Sequence, residues 1–207
     1  VESHDTKTRK TAKKGMGAPP RGHRLTHGSN PTSTGDCSRR FGYRADMSRF
    51  RRIAVYCASS DAIASVHRDA AESMGKALAA ADIGLVFGGG RVGLMGTIAD
   101  AVLAHGGEVI GVIPEKLQTL ELGHTGCTEL HVVDTMHKRK QLMMDFADGF
   151  IAMPGGYGTL EELFEVVTWA QLNFHRKPVG VLNTTGFFDH LIAFLHHAVD
   201  EGFVRPE

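Results

Sequence analysis

The chain has 207 residues, a formal net charge of +0 at pH 7 and 42% hydrophobic residues. This composition is typical of one globular domain; it excludes a fibrous chain and gives no electrostatic reason to expect a nucleic-acid partner. No apolar run approaches the roughly 20 residues of a membrane-spanning helix, so we expect no membrane partner.

The cysteines give no sign of a metal or redox centre. Cys37, Cys57 and Cys127 are scattered along the chain, without the spacing of a metal-binding or disulfide motif. Unpaired thiols are typical of proteins in reducing compartments. We therefore predict a cytoplasmic protein with reduced thiols and no metal site. No cofactor is expected either.

Residues 1–46 differ in composition from the rest of the chain. Lys, Arg, Ser, Thr, Gly and Pro dominate this segment, and no apolar periodicity is present, so we predict a disordered basic leader. Such a tail could bind nucleic acid or target the protein, but it lacks the apolar core of a signal peptide. Because Met47 immediately precedes the regular pattern, we favour a non-native leader followed by one domain over residues 47–207.

From Arg52 onwards, short apolar runs alternate with helical patterns. Six buried strands are predicted, at residues 53–57, 83–87, 109–113, 130–133, 149–153 and 178–182. A long polar connection is expected over residues 117–128, between the third and fourth strands. Strand and helix alternate throughout, which predicts an α/β fold with a Rossmann-like, doubly wound parallel sheet.

The stretch from Pro154 to Glu162 places three glycines between the fifth strand and a helix. Glycine lets a ligand approach the main chain, and the first amides of a helix have no internal acceptor, so a phosphate is the expected ligand. We expect the helix to bury Leu160, Leu163, Phe164 and Val167. An alternative is a capping box, in which Thr159 caps the helix and Glu162 reaches back to it.

Two further loops are expected at the same edge of the sheet. Ser59 and Ser60 follow the first strand, and Gly88, Gly89 and Gly90 follow the second. In a doubly wound sheet, ligands bind beyond the carboxyl ends of the strands, where the strand order reverses. Neither the spacing of a dinucleotide fingerprint nor a Walker motif is present, which disfavours hydride transfer and ATP hydrolysis.

Arg139 is predicted to share the inward face of its helix with Met136 and Met143. A snorkelling arginine at the surface is the alternative. If Arg139 and Glu162 face one crevice beside a phosphate loop, the arrangement suits an enzyme that cleaves the bond between a sugar and a base. The carboxylate can stabilise positive charge on the sugar ring or orient water, and the guanidinium can hold phosphate or base.

The motif Met136-His137-x-Arg139-Lys140, followed by Pro154-Gly155-Gly156-x-Gly158-Thr159-x-x-Glu162, resembles the "lonely guy" family of cytokinin riboside 5'-monophosphate phosphoribohydrolases. The upstream glycine loop at residues 88–96 fits the same family. This resemblance implies hydrolysis of N6-modified AMP to free base and ribose 5-phosphate, by a homodimer with its site near the interface.

The resemblance also implies roles for individual residues. Arg139 and Glu162 match the catalytic pair, Lys140 flanks the substrate, and Glu121 matches a substrate contact. The predicted substrate-binding set is completed by the three loops, with Ser59, Gly89, Gly90, Gly155, Gly156, Tyr157, Gly158, Thr159, Leu160 and Glu161.

Other functions remain open from the residues alone. Members of this family were often labelled lysine decarboxylases, yet no lysine here stands in the setting that a pyridoxal Schiff base requires. A broader purine or pyrimidine monophosphate nucleosidase would use the same reaction. A non-catalytic carrier of a phosphorylated cofactor would use the same loops without turnover.

Overall fold

The computed structural model describes residues 50–118 and 122–205. The predicted leader, residues 1–46, and the predicted substrate contact Glu121 lie outside the described residues.

Within the described residues, strands and helices alternate. They are β1 (Arg52–Tyr56), α1 (Ser65–Ala80), β2 (Gly84–Phe87), α2 (Gly93–Ala104), β3 (Val109–Pro114), α3 (Glu115–Gln118), β4 (Glu129–Val133), α4 (Met136–Phe146), β5 (Gly149–Ala152), α5 (Tyr157–Gln171), β6 (Val179–Val181) and α6 (Asp189–Asp200). Within this part of the chain, no helix has the length and apolar character needed to cross a bilayer.

The six strands form one sheet in the order β4-β3-β2-β1-β5-β6. Every neighbouring pair in this order runs parallel. The chain therefore builds outward from β1 to β4, then crosses back to add β5 and β6 on the other side of β1. This arrangement confirms the predicted α/β fold with a Rossmann-like, doubly wound sheet, and it puts the reversal of strand order between β1 and β5.

Helices cover both faces of the sheet. Because the central strands are buried on both sides, their sequences are continuous apolar runs. Alternate residues of β1 enter different cores: Val55 packs with α1 and α2, and Tyr56 packs with Met143 of α4. All residues of β2 and β3 are buried. The inner strands thus fix a rigid frame for the loops at their carboxyl ends.

Close packing of α1 against α2 depends on Gly75. A Cβ at this position would lie 2.7 Å from the Ala101 Cβ and 2.8 Å from the Ile98 carbonyl oxygen. Alanine is favoured over glycine in a helix by about 1 kcal/mol, but overpacking a core costs about 1–3 kcal/mol. We therefore expect Gly75→Ala to lower the unfolding free energy.

Urea denaturation would measure this effect. Ser73→Ala is the control, because Ser73 is exposed on the same helix and the substitution adds no contact. A Gly75→Ala protein as stable as the wild type would show that the two helices can separate without loss.

Helix α5 is rotated relative to the prediction. Leu163 is buried and Leu160 is half-buried, but Phe164 and Val167 are 38% and 43% exposed, so their predicted burial was wrong. Thr159 and Val166 are buried instead. The apolar pattern contained two overlapping stripes about 100° apart, and only contact with the sheet selected between them.

The described residues of the connection between β3 and β4 include features that its polar pattern did not predict. It begins with the one-turn helix α3 and contains the buried His124. The backbone of Gly123 forms an antiparallel bridge with Gly90 in the loop after β2. Gly123 and His124, in the described part of the connection, therefore pack against the glycine loop.

Candidate active site

Three loops meet at the carboxyl ends of β2, β1 and β5, which are neighbours in the sheet. The Ala58 amide donates to the Pro154 carbonyl oxygen at 3.2 Å, and the Leu94 amide donates to the Ala58 carbonyl oxygen at 2.9 Å. The loop after β1 is therefore bonded both to the loop after β5 and to the start of α2. This is the point of strand reversal, where open α/β sheets bind their ligands.

Helix α5 begins without a side-chain cap. Its N-cap is Gly156, and the first helical residue is Tyr157. Thr159 is consequently the third residue of the helix and Glu162 lies in its second turn, so the alternative of a capping box was wrong. The amides of Tyr157, Gly158 and Thr159 are among those that have no carbonyl acceptor within the helix. They present the positive end of the helix dipole to the cavity.

Gly155 makes room for the side chain of Thr159. A Cβ on Gly155 would lie 2.1 Å from Thr159 Oγ1 and 3.1 Å from the Ala58 amide nitrogen. Thr159 is 4% exposed. The glycine is therefore required mainly by the close approach of the Thr159 side chain, and also by the loop after β1, rather than by an unusual backbone angle.

A cavity of about 220 Å³ lies between these loops. It brings together both residues of the predicted catalytic pair, Arg139 and Glu162. Predicted binding residues that also line it are Ser59, Gly156, Tyr157, Gly158, Thr159 and Glu161; its wall further includes Tyr56, Cys57, Gly88, Met95 and Met136.

Arg139 is held from the side of the sheet. It is 6% exposed, its Nε donates to the Val112 carbonyl oxygen at 3.2 Å, and its Nη2 donates to the Gly88 carbonyl oxygen at 3.0 Å. Thr135 caps α4 by accepting a hydrogen bond from the Lys138 amide, which sets where the helix begins. Arg139 is therefore a fixed cation at the cavity wall, not the snorkelling surface arginine of the alternative interpretation.

Gly88 creates the space that Arg139 occupies. A Cβ on Gly88 would lie 2.0 Å from Arg139 Nη2. Gly89 and Gly90, the predicted members of this loop, do not line the cavity. The Gly89 carbonyl oxygen accepts from the His124 amide at 2.8 Å, and Gly90 pairs with Gly123.

His124 is a supporting residue that the sequence reasoning missed. Its Nδ1 accepts from the Gly126 amide at 3.2 Å, and its Nε2 lies 2.9 Å from Asp100 Oδ1. Its ring also stands edge-on to Phe87 in β2. His124 thus fastens the β3–β4 connection to β2 and α2, behind the loop that holds Arg139. Because His124 lies within a polar stretch, no apolar periodicity in the sequence indicated that it is buried.

The remaining predicted residues lie beside the cavity or outside the described residues. Gly155 lines a neighbouring, mostly apolar cavity of about 280 Å³, together with His67 and Phe187. Lys140 and Leu160 do not line the 220 Å³ cavity. The substrate contact implied for Glu121 stays a prediction.

Two titratable groups in the cavity wall are held neutral. Burial, reinforced by the negative charges of Glu162, Glu165 and Glu161, raises the pKa of Tyr56 well above its usual value. Burial and Glu162 likewise raise the pKa of the Cys57 thiol. A protonated thiol is a weak nucleophile, so Cys57 is poorly suited to attack a bound ligand.

We compared the chain with protein-family models, solved structures and curated proteins. A family model described as "Possible lysine decarboxylase" matches residues 95–207. The solved structure of a molybdenum cofactor binding protein from Rippkaea orientalis shares 26% sequence identity and has a TM-score of 0.57, covering 72% of this chain and 86% of that one.

Two curated plant proteins are much closer in sequence. The cytokinin riboside 5'-monophosphate phosphoribohydrolase LOG from Oryza sativa subsp. japonica is 53% identical over 160 residues, which are 77% of this chain and 66% of that protein. The LOG3 enzyme of the same name from Arabidopsis thaliana is 49% identical over 165 residues, 80% of this chain and 77% of that protein. The chain thus spans just under two thirds of the rice protein's length. It belongs to the "lonely guy" family of cytokinin riboside 5'-monophosphate phosphoribohydrolases.

Proposed function

We propose that this protein hydrolyses the N-glycosidic bond of N6-modified adenosine 5'-monophosphates, releasing the free base and ribose 5-phosphate. The observation that carries the proposal is that Arg139, Glu162 and the uncapped start of α5 line the same cavity. The identity of about half the residues to plant enzymes with this activity supports it.

In this proposal, the 5'-phosphate binds at the start of α5. Its oxygens accept hydrogen bonds from the amides of Tyr157, Gly158 and Thr159, and the helix dipole favours their charge. The Thr159 hydroxyl and Ser59 complete the polar lining. Anchoring the phosphate fixes the ribose relative to the two charged side chains, which converts binding energy into orientation.

Glu162 acts on the ribose ring. As the bond between C1′ and the base nitrogen breaks, its electrons pass to the base and positive charge develops on the ring, where a carboxylate stabilises it. Glu162 also orients water towards C1′; the water oxygen bonds to C1′, and a proton passes to the departing base. Arg139, fixed by two backbone carbonyls, stabilises negative charge on the phosphate or the leaving base.

A direct assay tests this proposal. The purified protein is incubated with isopentenyladenosine monophosphate, AMP, CMP and isopentenyladenosine without phosphate, and free base and ribose 5-phosphate are quantified by chromatography. We expect equal amounts of isopentenyladenine and ribose 5-phosphate from the first substrate, slower release from AMP and none from the nucleoside. Faster release from the nucleoside than from its monophosphate would contradict the role given to α5.

Two alternatives predict different results in the same assay. A broader purine or pyrimidine monophosphate nucleosidase would release base from AMP and CMP as fast as from the N6-modified nucleotide. A carrier of a phosphorylated cofactor would bind nucleotide without releasing base, and the likeness to the Rippkaea orientalis cofactor-binding protein favours including this test. Binding measured by calorimetry in parallel separates a carrier from an inactive preparation.

We also propose that the enzyme is a cytoplasmic homodimer. Phe164 and Val167 form an exposed apolar stripe on α5, the helix that carries Glu162, and a second copy of the chain would cover it. Cys57 and Cys127 are both free thiols, which suits a reducing compartment. Light scattering during gel filtration measures the oligomeric state, and a mass near 22.4 kDa would contradict the dimer.

A further inference from the structure

Lys140 connects the two helices that carry the proposed catalytic pair. Its Nζ lies 2.5 Å from Glu161 Oε1 and 2.9 Å from Glu165 Oε1. Only 12% of the lysine side chain is exposed. Lys140 directly follows Arg139 on α4, and Glu161 directly precedes Glu162 on α5.

We propose that Lys140 is a positioning residue, which fixes the separation of Arg139 and Glu162 by clamping α4 to α5. This inference rests on the proposed function, because it concerns the geometry of that site. It departs from the role of substrate contact that the family resemblance implies for Lys140.

Helix geometry explains how the clamp can act without entering the cavity. Successive helical residues point about 100° apart, so Lys140 faces α5 while Arg139 faces the carbonyl oxygens of Gly88 and Val112. Glu161 and Glu165 are four residues apart, so they lie on one face of α5 and converge on one ammonium. A shift of α4 along α5 would therefore break the ion pairs and change the spacing of the catalytic pair together.

The electrostatics favour a permanent clamp. Burial opposes the positive charge of Lys140, but the hydrogen bonds to Glu161 and Glu165 outweigh it and raise the pKa of the lysine above its usual value. The ammonium therefore stays charged at neutral pH. The better buried of the two pairs is Lys140–Glu165, whose side chains are 12% and 20% exposed, whereas Glu161 is 53% exposed; three charges in one network are worth more than an isolated surface pair.

Kinetics of Lys140→Met distinguish a clamp from a substrate contact. For a clamp, we expect kcat for isopentenyladenosine monophosphate to fall at least tenfold, with KM and calorimetric binding of ribose 5-phosphate within threefold of the wild type. Lys140→Arg should recover most of kcat, since it restores a cation to both carboxylates. Lys138→Met is the matched control, because Lys138 is an exposed lysine on the same helix.

A charge exchange tests the pairing itself. Lys140→Glu and Glu165→Lys should each lower kcat, and the double variant should recover at least part of the loss, because the ion pair is rebuilt in reverse. A rise in KM or a tenfold loss of ribose 5-phosphate binding with unchanged kcat in Lys140→Met would overturn the proposal in favour of a substrate contact. Unchanged kinetics would overturn it equally.

A stability measurement, which needs no catalytic turnover, tests the clamp separately from the proposed function. Thermal unfolding is compared for Lys140→Met, Glu165→Gln and the double variant, and we expect the two losses of melting temperature not to add. Additive losses would refute the clamp even in an active enzyme. Absence of base release by the wild type, with non-additive losses, would refute the proposed function and leave the clamp between the helices standing.

Discussion

Glu162→Gln is expected to lower the rate of base release by about 10²–10⁴-fold, the range typical of losing a positioned acid–base group. Glutamine keeps the size of the side chain but cannot carry the negative charge that stabilises a ring cation. Glu162 is half-buried in the second turn of α5 and is not a helix cap, so the unfolding free energy should change by less than about 1 kcal/mol.

The measurement is a progress curve of free base from isopentenyladenosine monophosphate, alongside urea denaturation of the same preparation. Glu72→Gln is the control. Glu72 is an exposed glutamate in α1, distant in sequence from Glu162, and it forms an ion pair with Lys76. Retention of more than a tenth of the wild-type rate by Glu162→Gln would remove Glu162 from the catalytic role. Marked destabilisation with residual turnover would point to a structural role instead.

Gly88→Ala is expected to reduce kcat/KM by about 10²–10³-fold, although the substitution adds only one methyl group and removes no charged side chain. The new Cβ would lie 2.0 Å from Arg139 Nη2, so the guanidinium must leave its place. The carbonyl oxygens of Gly88 and Val112 would lose hydrogen bonds from Arg139. We expect stability to fall as well, by about 1–3 kcal/mol for each buried acceptor left unsatisfied.

Two comparisons make this prediction specific. Gly180→Ala, in β6, is the control, because a Cβ at Gly180 meets nothing within 4 Å. In an Arg139→Ala background, Gly88→Ala should cost no further activity, since the side chain with which it clashes is already gone. An additional tenfold loss in that background would mean that Gly88 acts on the substrate directly and not through Arg139.

The fold could be predicted from the sequence because its determinants are local and periodic. The four inner strands, β3, β2, β1 and β5, are largely buried and form continuous apolar runs in the sequence. The bounds of all six strands were predicted to within about one residue, but the predicted burial was wrong for most of the edge strands β4 and β6. Alternation of strands and helices implies parallel pairing with right-handed crossovers. That rule also placed the loops after β1, β2 and β5 on one edge, which is where the cavity lies.

Local pattern could not decide which of two overlapping faces a helix buries. The apolar residues of α5 fit one stripe through Leu160 and Phe164 and another through Leu163 and Val166, and the sheet buries the second more deeply. Local pattern also could not decide at which residue α5 begins. Thr159 and Glu162 have the spacing of a capping box, but the helix begins earlier, at Tyr157.

The sequence by itself determined the order of the elements, the glycine loops and the presence of an arginine and a glutamate at their edge. The tertiary structure alone decided that Gly88, 51 residues before Arg139, leaves the space for its guanidinium, and that Lys140 pairs with α5. The physical reason is that hydrophobic period and turn chemistry are properties of neighbouring residues. A contact between distant residues depends on how helices and sheet pack, and no local pattern encodes that distance.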